Sequence, residues 1–320
     1  MQLPPYHDWV NRRQLFTAAG LAAVAPVPTP LPSHAGMSDV LAAQAVTTRL
    51  RAVGRASGGA AVVEAMAAHA HRVERLLDAR MRDVVRPQLV AAAASAHASV
   101  GWEVNDIGQG DRARAAMHHA LSLAKGTPVL PEVLYMTGRI EGHRGDPNHG
   151  LKFFQLAEVA RQAVPNRHGR SEVLERLRAT IAADAAKLYA TVGALDQARN
   201  HLAAAADSDT SDVHGVVAET RTMLGELDTA RELAQGAVAR RDTTTVRSAV
   251  IDNVTAACAL LRQHEVAAAL PHVEGAVAAV RALPGSVRSA ERLRPLCVEL
   301  VGTRDSAVDD LRQEAFALSR

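Results

Sequence analysis

Aromatic side chains are scarce: four Phe, three Tyr and two Trp make up 3% of the 320 residues, although 48% of the chain is hydrophobic. The apolar mass is therefore mostly Ala, Val and Leu. Such small side chains fill a thick core poorly, which argues against a β-sandwich or barrel and for thin layers of closely approaching helices. Only two cysteines occur, Cys258 and Cys297, each alone in an apolar helical pattern, so neither a disulfide framework nor a cysteine zinc site is expected. No apolar run reaches the roughly 20 residues that span a bilayer, and no membrane partner is expected. Lysine is confined to Lys125, Lys152 and Lys187, and 36 basic against 34 acidic residues leave a formal charge of +2 spread along the chain. That distribution lacks the dense positive field of a nucleic-acid groove, so DNA binding by this chain alone is disfavoured. A Gly-x-Ser-x-Gly elbow, a phosphate loop, a dinucleotide fingerprint and a His-Glu-x-x-His helix are all missing from the sequence. No catalytic residue and no cofactor is therefore expected.

Residues 1–36 form a linker or signal-like segment. Asn11-Arg12-Arg13-Gln14-Leu15-Phe16 before the short apolar stretch 17–25 has the form of a twin-arginine export signal, and Ser33-His34-Ala35 could serve as its cleavage site. Against export, the apolar stretch is weak, and Pro26, Pro28, Pro30 and Pro32 make the following segment a stiff, extended linker.

From residue 37 to 320 the pattern is helix after helix, with apolar residues at intervals of three and four and Gly, Pro and Asp turns between. Helices are expected near 38–54, 60–83, 87–107, 110–125, 129–142, 147–163, 172–192, 195–206, 212–224, 227–240, 245–262, 265–282, 286–301 and 305–318. Anchoring the tight turns at Gly108, Gly145, Gly193, Gly225 and His264 exposes a register. Five residues later come Ala113, Gly150, Ala198, Ala230 and Ala269; twelve later, Ala120, Ala157, Ala205, Ala237 and Ala276; seven earlier, Gly101, Gly138, Ala186, Ala218 and Ala257. Nine after each anchor sits an apolar residue: Met117, Phe154, Leu202, Ala234 or Val273. Helices joined by a tight turn cross closely only where both present minimal side chains, with a larger neighbour filling the hole beside them.

These are the small-residue positions of a tetratricopeptide repeat, whose period is about 34. The fold expected is all-α, a tetratricopeptide-like superhelix of antiparallel helix pairs, with degenerate repeats at about 87–125, 128–164, 172–206, 211–241 and 244–282 flanked by capping helices. The bulky position eleven before the anchor is not kept, being His97, Leu134, Ala182, His214 and Asn253, and the closing Pro of the motif is missing. The segment 164–170 reads as a loop insertion.

Asp8-Trp9-Val10-Asn11-Arg12-Arg13-Gln14-Leu15-Phe16, the Pro-rich linker, Gly58-Gly59-Ala60, Val100-Gly101-Trp102-Glu103-Val104-Asn105-Asp106-Ile107-Gly108 and Ala120-Leu121-Ser122-Leu123-Ala124 occur in that order. Together with the Arg144-Gly145-Asp146-Pro147 turn they resemble the sensor region behind the DNA-binding domain of actinobacterial XRE-type transcriptional regulators. That resemblance implies a cytoplasmic regulatory protein binding a peptide or protein partner. It implies contact with DNA only indirectly or through a missing helix-turn-helix domain, the chain being either a free-standing sensor or one whose start is assigned too late. A homodimer is compatible with it, and Arg12-Arg13 becomes a linker feature.

Tetratricopeptide arrays bind segments on the concave face lined by the first helix of each pair. Carried onto this register, the resemblance places Trp102, Asn105, Asp106, Glu132, Tyr135, Arg139, His143, Lys187, Thr191 and Glu219 in the groove. Trp102 and Tyr135 would stack on a ligand while Arg139 and Lys187 hold a carboxylate or phosphate. Each of these residues also has an ordinary reading, as packing between repeats or as a solvated face. His69, His71, His97, His118 and His119 lack the four-residue spacing of a paired helical metal site, and no metal is expected. Residues 207–212 resemble a calcium loop without its central Gly and terminal Glu, so helix capping is the better reading. Two rival functions stand beside the sensor: an exported peptide-binding or scaffold protein, and an enzyme on a helical array.

Overall fold

The computed structural model describes residues 32–165, 170–206, 208, 210–303 and 305–319. The twin-arginine-like stretch, most of its linker, and parts of the expected 164–170 and 207–212 loops lie outside them. Among the described residues fifteen α-helices follow one another: α1 Met37–Ser57, α2 Val63–Arg75, α3 Arg86–Asp106, α4 Gly110–Ala124, α5 Leu130–His143, α6 Pro147–Ala163, α7 Arg170–Thr191, α8 Leu195–Ala205, α9 Ser211–Met223, α10 Leu227–Arg240, α11 Val246–Arg262, α12 Val266–Arg281, α13 Val287–Glu291, α14 Arg294–Gly302 and α15 Asp309–Leu318. No strand occurs among the described residues; a single bridge joins His34 to Arg80. None of the described helices is long and apolar enough to cross a membrane.

The five anchors share one backbone device. Gly108, Gly145, Gly193, Gly225 and His264 are each left-handed, with φ of 78°, 86°, 76°, 78° and 61°. In every case the anchor's N–H bonds back three residues and the next N–H bonds back five, as in Gln109 N to Val104 O and Glu265 N to Leu260 O, both near 3 Å. This is the helix-ending turn that satisfies the last carbonyls and reverses the chain. Glycine enters that conformation freely, whereas His264 does so against its Cβ.

Each turn folds its two helices together, giving the antiparallel pairs α3/α4, α5/α6, α7/α8, α9/α10 and α11/α12. All fifteen small positions of the register, and the five apolar ones between them, are buried. The reason is visible at Gly138 in α5. A Cβ there would lie 2.7 Å from the Phe154 ring and 2.9 Å from the Gly150 carbonyl oxygen, so the seven-before position faces the five-after and nine-after positions of its partner helix. The chain is a tetratricopeptide-like array of helix pairs.

Two segments depart from the expected pattern. The helix expected over 60–83 ends at Arg75 and passes through a 3₁₀ turn, Leu76–Asp78, after which Arg80 pairs by backbone hydrogen bonds with Ser33 and Ala35. The helix expected over 286–301 breaks at Arg292, because Pro295 has no N–H to continue it and is instead accommodated in the first turn of α14.

The array also curls until its ends meet. Helix α11 packs against α1, and α13 touches α3. The first helices of the pairs thus face a common interior, which the last third of the chain helps to close.

Candidate ligand-binding site

A chamber of about 570 Å³ lies on this inner face, walled by α1, α3, α5, α7, α9, α11 and α13. A smaller recess of about 200 Å³ adjoins it and shares Arg139, Asp184 and Arg288. Of the groove residues expected from sequence, Trp102, Glu132, Tyr135 and Arg139 line the chamber, and Arg139, His143, Lys187 and Thr191 line the recess.

The other three stand elsewhere. Asp106 is fully buried, accepts from the Gly59 N–H at 2.8 Å and lies 3.4 Å from Arg247 Nε. Asn105 is buried beside it. Asp106 serves the junction of α3 with the first turn of chain after α1, which a count along one helix does not reveal. Glu219 lies behind the recess, held by Lys187 at 2.6 Å and Arg292 at 2.9 Å.

Lining residues are not all free to bind. The buried Tyr135 hydroxyl donates to Asp184 at 2.5 Å, and Arg139 lies 3.2 Å from the same carboxylate. Tyr135 is therefore not an open stacking platform, and burial pushes its pKa up. Arg51 takes up Glu132 at 3.0 Å. Lys187 and Arg292 share one oxygen of Glu219, Oε1. Burial and the neighbouring Arg292 lower Lys187 to about 8; burial opposes ionisation of Glu219, but its two cations outweigh that and hold it at about 2. Lys187 is thus a structural counter-ion, not a free anchor for a ligand. Thr191 is exposed and donates to the Lys187 carbonyl at 2.9 Å.

The groups that sequence reasoning missed come from the far end of the chain. Arg288, on α13, is 8% exposed, and its Nε and Nη1 have no hydrogen-bond partner among the described residues. Its guanidinium lies 4.4 Å from the Trp102 ring centre, and that of Arg139 lies 4.6 Å from it. The indole face offsets part of the cost of burying such charge. The remainder is large enough that burial, with Arg292 and Arg139 close by, pushes the Arg288 pKa well below its usual value. The same surroundings hold His143 neutral: burial, then Arg288 and Arg292, lower its pKa. On the opposite wall Arg241 binds Asp252 and Asp212, and burial raises Asp252 to about 6. Chemically the chamber is a polar box with one wall held cationic in excess of its local acids, suited to binding an anion.

A second grouping lies away from the chamber. His71, Glu74, His97 and His119 meet from α2, α3 and α4. Spacing along single helices argued against metal, and it carried no information about histidines converging from three. A third grouping, Glu141, Asp146 and His149, is already committed, because Arg114 grips Glu141 at 2.9 and 2.6 Å.

Neither protein-family models nor curated proteins match the sequence. Among solved structures the chain is similar to BtubC (BKLC) from P. vanneervenii, at 14% identity over 71% of this chain and 92% of that one, TM-score 0.49. It is similar also to a tetratricopeptide repeat protein from Parabacteroides merdae, at 10% identity over 87% and 99%, TM-score 0.40. A third likeness is to the Cut9–Hcn1 hetero-tetramer of APC/C, at 10% identity over 98% and 60%, TM-score 0.48. These concern fold alone, and the repeat geometry stands without them.

Proposed function

We propose that the chain is a cytoplasmic, non-catalytic sensor that takes the end of a peptide or partner segment into its inner chamber, with a carboxylate of that segment seated at Arg288. The observation that carries this is the buried Arg288 guanidinium, whose Nε and Nη1 have no hydrogen-bond partner among the described residues. A buried cation is retained against its desolvation cost when something compensates it; here Asp106 attracts the guanidinium, but burial and the neighbouring Arg292 and Arg139 outweigh it. The chamber volume of about 570 Å³ falls in the range of roughly 300–1,000 Å³ usual for small-ligand sites, which suits a few residues and not a folded domain. Trp102 packs against both guanidiniums and so fixes Arg288 beside Arg139 at this wall. A transcriptional output is the reading that the XRE-type resemblance supports. Occupancy would then act by favouring one curvature of the array over another, to the extent that the ligand binds the two differently.

The test begins with selection of binding peptides from a random library displaying free C-termini. Calorimetry then compares each selected peptide with its C-terminal amide. The amide is expected to bind at least about tenfold more weakly, the loss of one charge-assisted pair. Arg288→Met should abolish the preference while raising the melting temperature, because a buried charge only partly compensated by Asp106 is replaced by an apolar chain of similar length. Equal binding of acid and amide, or unchanged selectivity in Arg288→Met, overturns the assignment. Gel-shift titration should show no tight sequence-specific DNA binding by the chain alone.

A further inference from the structure

The structure assigns a second site: we propose that His71, Glu74, His97 and His119 bind a first-row transition metal, best fitted to Zn²⁺, that clamps α2 onto the first repeat pair. His71 and Glu74 stand three residues apart on one face of α2, His97 comes from α3 and His119 from α4. One ligand atom each from His71, Glu74 and His97 lies within 4.8 Å of the others. Glu74 Oε2 is 2.9 Å from His97 Nε2, and Glu74 Oε1 is 2.9 Å from His119 Nε2, so the carboxylate sits between two imidazoles. The His97 ring meets those of His71 and His119 nearly edge-on, with centroids 5.7 and 4.5 Å apart.

Zinc bonds of about 2.0–2.2 Å in a tetrahedron place ligand atoms roughly 3.3–3.5 Å apart. Across His71, Glu74 and His97 the ligand atoms therefore need to close by about 1.5 Å at most at the side-chain tips, with His119 brought in from its contact with Glu74. His71 and His119 are exposed and Glu74 is half-buried, so their rotamers can supply that movement while buried His97 stays fixed. Three imidazoles and one carboxylate, without thiolate, suit Zn²⁺, Ni²⁺ or Cu²⁺ and not the oxygen-loving Ca²⁺ or Mg²⁺. None of the four lines the chamber or its recess, so the site is separate from the ligand site. Metal held by three helices stabilises the array by mass action, since the unfolded chain does not present the ligands together.

Full-length protein without a histidine tag, stripped with EDTA, is titrated with Zn²⁺ by calorimetry and followed by thermal unfolding. Co²⁺ substitution serves as the spectroscopic probe. One equivalent is expected to bind with a Kd of about 1 µM or tighter, to raise the melting temperature, and to give the intense visible bands of tetrahedral Co²⁺. His71→Ala and His119→Ala remove exposed rings, leave the core intact, and should each weaken binding about tenfold or more. His149→Ala, in the committed third grouping, should leave it unchanged. Absence of saturable 1:1 binding below about 100 µM, or binding by the His71→Ala/His119→Ala double variant as tight as wild type, overturns the proposal.

Discussion

Glu219 shows how much of this molecule is decided by single carboxylates placed among several cations. Lys187 and Arg292 both use its Oε1, while its Oε2 is buried with no hydrogen-bond partner among the described residues. The two cations outweigh the burial of the carboxylate and hold Glu219 at about 2, while burial first and then Arg292 lower Lys187 to about 8. Because the folded pKa of Glu219 lies below its ordinary value of 4.5, its stabilising contribution is complete above about pH 4.5 and is lost as pH falls toward 2. Glu219→Gln should therefore cost about 2–3 kcal/mol at pH 7, the scale of removing one partner from a mostly buried pair. In denaturant melts the gap to wild type should have narrowed clearly by pH 3. A gap that stays constant from pH 7 to 3 would show that the loss is one of packing. Sequence reached this site only in part. Trp102, Arg139, His143 and Lys187 could be placed on one inner face by counting from the turns. Arg288 and Arg292 could not, because their helix is not one of the repeats and arrives by closure of the whole array.

At the scale of helices the legible feature was the turn, since a left-handed helix end needs Gly or a tolerant substitute and leaves a fixed point from which positions can be counted. The same count exposed the contact glycines, whose role is steric and not conformational. Gly138 and Gly236 are both helical, yet they should respond oppositely to alanine. At Gly138 a Cβ meets the Phe154 ring at 2.7 Å and a backbone carbonyl at 2.9 Å, neither of which can yield without moving α6. At Gly236 it meets only the end of the Arg240 side chain, at 3.2 Å or more, which can swing away. Gly138→Ala should destabilise by about 1–3 kcal/mol through overpacking. Gly236→Ala should stabilise by about 0.5–1 kcal/mol through helix propensity. Urea denaturation of both variants checks the pair; stabilisation at Gly138 would mean that α5 and α6 are not in contact there. What the turns did not disclose were the helix ends at Arg75 and Arg292. The first depends on a tertiary pairing with residues 33–35, and the second on Pro295, whose signal was present but gave way to the apolar periodicity around it.

The closed shape of the molecule rests on a contact between its first and fifth helix layers, centred on Arg247. From α11 this side chain donates to the Gly54 carbonyl of α1 at 2.7 Å and to Glu103 of α3 at 2.7 Å, with Asp106 at 3.4 Å. Gly54 makes the approach possible, since a Cβ there would lie 2.7 Å from a Glu103 oxygen. Gly59 completes the junction by donating its N–H to Asp106. Burial raises the Glu103 pKa even with Arg247 present, so this carboxylate depends on its cation. Arg247→Met should cost about 3–5 kcal/mol, because two buried acids lose their partner. It should also let α1 and α11 separate, seen as a larger radius of gyration in solution scattering and a weaker hold on any chamber ligand. Adding Glu103→Gln separates the two effects: it removes one stranded charge and should recover part of the stability, but it cannot restore the bridge to Gly54. If the double variant regains stability and stays expanded, Arg247 is the clasp that shapes the chamber. If neither variant expands, closure is held by the apolar packing of α1 on α11, and the ion pair only tunes its strength.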